Sequence, residues 1–226
     1  MIGSDARSRI AESRFWLRYD RRRYAILFYA LLLTLLIMPV ATTFGLPMLS
    51  TKLLLTTCLF AAVMPNSTKR TRQVLLTATL LLVFANTTSE LRYLPVSPAL
   101  VLALVGLTGL AAAAGALRFM IMAKSVNGET VYAALSTYLL AGLFFGQIYW
   151  SLERIRPGSL VGADSLTQQS AVYFSFVTLA TLGYGDILPR TDVARGIATF
   201  EVIGGQLFLA VMVARLIGAF EPKKPI

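Results

Sequence analysis

Long apolar stretches are the feature that most limits what this chain can fold into. A helix that crosses a bilayer needs roughly 20 predominantly apolar residues. Six stretches approach or exceed that length: Tyr24–Phe44, Leu46–Met64, Gln73–Thr88, Pro98–Met122, Val131–Leu152 and Asp192–Phe220. Charged residues make up only 14% of the chain, against about 25% in a soluble domain. The sequence therefore predicts an all-α membrane protein with six transmembrane helices.

The basic residues predict which side of the membrane each end of the chain occupies. Lys and Arg concentrate in cytoplasmic loops, and with six spans 15 of the 21 lie on the side that holds both termini. Both termini are therefore predicted to be cytoplasmic, with residues 1–23 as a basic cytosolic segment. The arginines of that segment either set the topology or bind anionic lipid headgroups. The net charge of +10 does not predict nucleic acid binding, because the positive charges flank apolar runs and form no basic face on a soluble module.

The residue inventory removes most common catalytic and metal sites. The chain has one cysteine, Cys58, and no histidine. An internal disulfide, a cysteine-based metal cluster and the usual general base are therefore absent. An enzyme is not excluded by this inventory alone.

A short apolar run between the last two stretches predicts a loop that enters the membrane and returns. Ser165 and Gln168 have the spacing of a capping box, which predicts a helix start, and the run from Leu166 to Leu179 is too short to cross the bilayer. Thr181-Leu182-Gly183-Tyr184-Gly185-Asp186 follows, and Pro189 closes the segment. On its own, Gly-Tyr-Gly-Asp is also typical of a soluble turn. Irregular backbone at membrane depth is tolerated where it lines a water-filled path, so this position favours a re-entrant loop.

The hexapeptide resembles the potassium channel signature, whose usual form is Thr-Val-Gly-Tyr-Gly-Asp. The resemblance extends over roughly the last hundred residues and points to prokaryotic six-transmembrane channels with one pore loop per chain. It implies a pore domain at 127–226, with an outer helix, pore helix, filter and inner helix, after a four-helix transmembrane domain at 24–126. Because such a filter uses four loops, the resemblance also implies a homotetramer.

The same resemblance assigns roles within the filter. Backbone carbonyls of Thr181, Leu182, Gly183 and Tyr184 are expected to bind potassium ions, together with the Thr181 hydroxyl. Gly183 and Gly185 are expected to supply the unusual dihedral angles that turn the carbonyls inward. Residues expected to support the filter are Gly185, Asp186, Tyr173, Phe174 and Glu201.

Two positions depart from the family pattern. Leu182 replaces the usual valine, but only its backbone is expected to contact the ion. Val177 stands where the prototype bacterial channel has a glutamate that supports the filter aspartate. We therefore hypothesise that Tyr173 hydrogen-bonds Asp186 instead.

The last apolar stretch holds further candidates. Gly204 and Gly205 fall where the family has a gating hinge, although small residues also serve close packing of membrane helices. Gln206, Leu209 and Val213 are expected along the wall of the cavity. An ionisable residue inside a span is a functional candidate, and Glu201 is expected behind the filter, bonded to the end of the pore helix. A purely structural contact is the alternative.

The sequence thus predicts a subunit that conducts potassium passively across a prokaryotic inner membrane. It is not expected to be an enzyme or to have an organic cofactor. The fourth stretch has no arginine before Arg118, so a charged voltage sensor is not expected. The expected partners are three further copies, membrane lipids and an unidentified regulatory protein. The alternatives are a nonselective cation channel and a non-conducting regulatory subunit. A secondary transporter is disfavoured because no paired internal repeat is evident.

Overall fold

The computed structural model describes residues 22–40, 44, 77, 97–123, 125–162 and 166–220. Regular structure in these ranges is helical apart from one pair of two-residue strands. The elements are α1 (Arg22–Val40), α2 (Pro98–Met122), α3 (Gly128–Ile155), β1 (Leu160–Val161), α4 (Gln168–Leu179), β2 (Leu188–Pro189) and α5 (Asp192–Phe220).

Four of the described helices are long and apolar enough to cross a membrane: α1, α2, α3 and α5. They correspond to the first, fourth, fifth and sixth predicted stretches, and they make this a multi-pass membrane protein. The second and third stretches, Leu46–Met64 and Gln73–Thr88, lie outside the described residues apart from Thr77. The count of six spans therefore stays a prediction.

Helix α3 begins earlier than its apolar pattern predicts, because Asn127 caps it. The Asn127 side chain accepts a hydrogen bond from the backbone N–H of Thr130 at 3.0 Å, and the Thr130 hydroxyl accepts one from the backbone N–H of Asn127 at 3.5 Å. This reciprocal cap satisfies two backbone donors at the helix start. The helix consequently covers Gly128–Ile155 instead of the predicted Val131–Leu152.

The predicted start of α4 is wrong. The residue that caps this helix is Thr167, not Ser165, and Gln168 is its first helical residue. The Thr167 hydroxyl accepts from the backbone N–H of Ser170 at 3.1 Å, and the Ser170 hydroxyl accepts from that of Thr167 at 3.4 Å. A serine takes the place that glutamate or glutamine usually holds in a capping box, so the pair is harder to find by pattern.

Helices α1, α2 and α3 share one core. The ring of Tyr24 in α1 stacks on Phe119 in α2 with centroids 4.7 Å apart. A Cβ on Gly109 of α2 would lie 2.1 Å from the ring of Phe144 in α3, so α2 packs closely against α3. This core also includes Val172 of α4. The core therefore includes residues from both predicted domains, 24–126 and 127–226. The division into these two domains stays a prediction.

Two glycines of α3 set the position of α4. A Cβ on Gly142 would lie 2.4 Å from the Phe176 ring, and one on Gly146 would lie 2.6 Å from the Cα of Val172. Small residues let membrane helices approach closely. The strip from Gly142 to Gly146 thus seats α4 against α3 and fixes where its C-terminal end points.

The connections around α4 are tied together by the strand pair. Leu160 of β1 pairs with Pro189 of β2, and Val161 pairs with Leu188, in antiparallel register. Because β1 precedes α4 and β2 follows the hexapeptide, this pairing closes the segment between α3 and α5 at both ends.

Arg215 joins the C-terminal part of α5 to the end of α2. Its guanidinium donates hydrogen bonds to the backbone carbonyls of Ile121 and Ala123. The last carbonyls of a helix lack partners within the helix, and a cation is favourable there. The contact connects the predicted first half of the chain to the last span.

Candidate ion-binding segment

The hexapeptide Thr181–Asp186 follows α4 directly, and all six of its residues are exposed. Leu182 is 56% exposed and Tyr184 is 67% exposed, although both side chains are large and mainly apolar. The segment is exposed along its length but anchored at both ends, by α4 before it and by buried Ile187 and β2 after it.

Alternate residues of the segment have left-handed backbone angles. The φ angles are +57° at Thr181, +54° at Gly183 and +79° at Gly185. Glycine adopts such angles without steric cost, and these two glycines were predicted to do so. Thr181 was missed, because a β-branched residue rarely adopts a positive φ.

The conformation of Thr181 also ends helix α4. Its backbone N–H donates to the carbonyl of Thr178 at 2.9 Å, and the N–H of Leu182 donates to the carbonyl of Val177 at 2.9 Å. Together with the left-handed conformation of Thr181, these two bonds form a Schellman motif. This motif commonly ends helices and usually has glycine at the left-handed position. The first residue of the segment is thus part of the helix terminus.

This arrangement fixes the direction of the first carbonyls. In a trans peptide the N–H and the preceding C=O point in opposite directions, and the described residues contain no cis bond. The N–H groups of Thr181, Leu182 and Gly183 all point at the last turn of α4. The carbonyls of residues 180, 181 and 182 therefore point away from α4, toward the exposed side. An ordinary strand alternates its carbonyl directions, so this segment presents a row of oxygens that a strand does not.

Tyr173 reaches the far end of the segment from α4. Interaction with the Asp186 carboxylate raises the pKa of its phenol above the ordinary value, because only the neutral phenol can donate to a carboxylate. The hydrogen bond between them that was hypothesised from the valine at position 177 stays a prediction. Phe174 points the other way, and its buried ring meets Tyr149 of α3 edge-on with centroids 4.9 Å apart. Within one chain, α4 brings Tyr173 to the segment and Phe174 to the outer helix.

Gly162 holds the Asp186 end of the segment in place, and sequence reasoning missed it. Its φ is +126°, and a Cβ there would lie 2.0 Å from the carbonyl oxygen of Asp186. Only glycine allows the backbone after β1 to approach Asp186 so closely. Because the two residues are far apart in sequence, no local pattern identifies the contact.

Glu201 is buried between three helices, with 1% of its surface exposed. One carboxyl oxygen lies 2.5 Å from the hydroxyl of Ser175 in α4, and the other accepts a hydrogen bond from Tyr149 of α3 at 2.7 Å. The contact with α4 is therefore at Ser175, one turn before the helix end where it was expected. Neither Tyr149 nor Ser175 was predicted as a partner, since both lie within apolar helices without a distinctive motif.

The two adjacent glycines of α5 have different surroundings. A Cβ on Gly205 would lie 2.6 Å from the carbonyl oxygen of Leu179, at the end of α4. A Cβ on Gly204 would have no heavy atom within 4 Å. Of the two explanations left open by the sequence, the geometry favours close packing for Gly205.

The predicted cavity residues lie on an uncovered face of α5. The Gln206 side-chain amide donates to the Thr181 hydroxyl at 3.4 Å. Gln206 therefore lies beside the Thr181 end of the segment. Leu209 is 40% exposed and Val213 is 53% exposed. Their spacing of three and four residues continues the same helix face.

The candidate site lies within the part of the chain that matches a known protein family. Residues 133–221, from α3 to just beyond α5, match the family described as "Ion channel". The inward rectifier potassium channel Kirbac3.1 of Paramagnetospirillum magnetotacticum is 32% identical over 87 residues, which cover 37% of this chain and 27% of that protein. Two-pore potassium channel 4 of Arabidopsis thaliana is 32% identical over 88 residues, which cover 39% of this chain and 30% of that protein. No solved structure matches significantly.

These relatives bear on function at a coarse level. The chain spans less than a third of the length of either protein. The family match at residues 133–221 includes the whole candidate site. Potassium channels move ions and catalyse no chemical reaction, in agreement with the prediction that this chain is not an enzyme.

Proposed function

We propose that this chain is one subunit of a potassium-selective channel in which four copies surround a pore lined by residues 181–186. Potassium ions pass through it passively, down their electrochemical gradient. The observation that carries the proposal is the common direction of the carbonyls at residues 180, 181 and 182, away from α4 and toward the exposed side.

A potassium ion that leaves water must exchange its water oxygens for protein oxygens. The segment supplies carbonyl oxygens in a row, and the hydroxyl of Thr181 adds a further ligand at the inner end. One copy can contact an ion from one side only, so several copies must meet around it. Four is the number implied by the family that the hexapeptide resembles, and closed cyclic symmetry is the usual form of such assemblies.

The exposed apolar surface is consistent with this assembly. Leu182 and Tyr184 project from the segment, and Phe200 and Leu207 of α5 are 70% and 61% exposed. Large apolar patches of this kind commonly mark protein or membrane contacts. In the proposed tetramer, neighbouring copies and lipid cover these side chains.

The proposal includes the topology predicted from the sequence. The subunit has six spans in the inner membrane, with both termini in the cytoplasm. Helix α4 then enters the membrane part-way and ends at the pore, where the partial negative charge of its C-terminus favours a cation.

Potassium flux from liposomes that contain the purified protein tests the proposal. The matched variants are Gly183→Ala and Gly196→Ala, because a Cβ would meet no heavy atom within 4 Å at either site and only Gly183 has a positive φ. We expect potassium flux well above sodium flux, lost in Gly183→Ala and retained in Gly196→Ala. Both effects follow from the backbone angle, since neither substitution creates a clash within the chain.

Other outcomes identify the alternatives. Equal potassium and sodium flux would favour a nonselective cation channel. An absence of flux from a correctly assembled oligomer would favour a non-conducting regulatory subunit. Crosslinking of the protein in membranes measures the number of copies, and any number other than four would contradict the proposed assembly.

A further inference from the structure

Ser175 has more hydrogen-bond contacts than its single proton allows if Glu201 is ionised. The Ser175 oxygen lies 2.8 Å from the carbonyl oxygen of Gly142 and 2.5 Å from a carboxyl oxygen of Glu201. A serine hydroxyl has one proton to donate, and a carbonyl can only accept. Both short contacts are hydrogen bonds only if the carboxyl group of Glu201 donates to Ser175 while Ser175 donates to Gly142. The two short contacts therefore favour a proton on Glu201.

The surroundings of Glu201 also favour the protonated carboxyl group. The side chain is almost completely buried in a membrane-spanning helix, where an ionised carboxylate without a counter-charge is costly. Its hydrogen-bond partners are neutral hydroxyls, Tyr149 on α3 and Ser175 on α4. Tyr138 on α3 is a further titratable group close enough to interact with it electrostatically.

We propose that Glu201 is a protonated positioning residue that holds α4, and through α4 the ion-binding segment, against α3 and α5. The inference rests on the proposed channel function. Tyr149 donates to one oxygen of Glu201, the other donates its proton to Ser175, and Ser175 donates to Gly142. In this series of hydrogen bonds, each donor has one proton and one acceptor.

The chain of hydrogen bonds reaches the segment through the last turn of α4. Ser175 lies one turn before Leu179, and the carbonyls of Val177 and Thr178 hold the N–H groups of Leu182 and Thr181. When Glu201 loses its proton, Ser175 has two acceptors and can bond only one of them. Helix α4 then loses a contact with α3 or with α5. The link is thus intact while Glu201 is protonated and is lost as pH rises through its ionisation.

Potassium flux against pH, with paired variants, tests the functional part. Glu201→Gln keeps a neutral side chain with a donor and an acceptor, so it should conduct at neutral pH and lack the alkaline fall of the wild type. Asp192→Asn removes an exposed carboxylate from the same helix and should keep the wild-type profile. Ser175→Ala should reduce flux about tenfold, as expected for loss of a strong buried hydrogen bond. The scan stays below about pH 9 so that ordinary tyrosine phenols remain neutral.

The result that overturns the positioning role is a Glu201→Gln channel with the same pH profile as the wild type. Loss of flux in Glu201→Gln with the oligomer intact also overturns it, because that result would show that an ionised carboxylate is required.

Infrared spectroscopy tests the proton without any flux measurement. The wild-type protein at neutral pH should show the C=O band of a protonated carboxylic acid that is absent from Glu201→Gln. If that difference is missing, the proposal fails even in a conducting channel. If the band is present but the wild type carries no potassium, the proposed function fails and the protonated link stands.

Discussion

Gly205→Ala tests whether α5 packs directly against the end of α4. The new Cβ would lie 2.6 Å from the carbonyl oxygen of Leu179 and 2.9 Å from its Cδ1 atom, whereas ordinary contacts begin at 3.4 Å. The backbone carbonyl cannot rotate aside as a flexible side chain would. The two helices must therefore separate by about 0.8 Å at this point, the difference between 3.4 Å and 2.6 Å.

The neighbouring glycine provides the control for this substitution. Replacing a helical glycine by alanine gains about 1 kcal/mol of helix propensity, and Gly204→Ala should show that gain because its Cβ meets nothing within 4 Å. Gly205→Ala has the same gain, but an overpacked contact costs about 1–3 kcal/mol. The free energies of unfolding of the two variants should therefore differ by about 1–3 kcal/mol, with Gly205→Ala the less stable.

Denaturant unfolding of the two purified variants in detergent measures this difference, and liposome flux measures its consequence. Displacement of Leu179 moves the end of α4, so Gly205→Ala should also conduct less potassium than Gly204→Ala. Equal stability of the two variants would refute the packing argument. A loss of flux in Gly204→Ala alone would instead support a hinge at that position.

Three further substitutions test the ends of the segment. Tyr173→Phe removes the phenol that interacts with Asp186. Because that interaction raises the pKa of the phenol, its contribution is complete below about pH 10 and is lost as pH rises through the raised pKa. A fall of wild-type flux in that alkaline range should be absent from Tyr173→Phe, and its persistence there would contradict the assignment. Thr181→Gly should raise thermal stability, because it relieves about 1–2 kcal/mol of strain from the left-handed backbone conformation. Loss of the Thr181 hydroxyl should at the same time lower potassium flux. A fall in stability would show that Thr181 is not strained. Gly162→Ala should reduce potassium-over-sodium selectivity, because its Cβ would overlap the Asp186 carbonyl. Gly158→Ala should preserve selectivity, because Gly158 also has a positive φ but has open space around it. Equal effects of the two substitutions would exclude the close approach of Gly162 to Asp186.

Much of the helical architecture was predictable because burial in lipid depends on the length of an apolar run. The stretch Pro98–Met122 was predicted with the same bounds as the helix found there. Errors occurred where a side chain, not hydrophobicity, decides the helix end. Asn127 starts α3 before its apolar run, and Thr167 starts α4 after the serine that the pattern selected.

The geometry of the candidate ion-binding segment was predictable from the sequence where it depends on local residue types. Gly183 and Gly185 have positive φ angles that their own residue type favours. The contacts of Glu201 with Tyr149 and Ser175 join residues 52 and 26 positions apart. Such contacts depend on how the helices pack, which a single sequence without a motif does not specify.

The double role of Thr181 makes the two ends of the candidate ion-binding segment mechanically unequal. Rotation of the peptide plane between Thr181 and Leu182 would break the bond to Val177 and unravel the helix terminus with it. The planes nearer Asp186 have no such bond to the last turn of α4 among those described. In the proposed channel, closure by rotation of a carbonyl away from the pore should therefore begin at the Asp186 end of the segment, while the carbonyl of Thr181 keeps its direction.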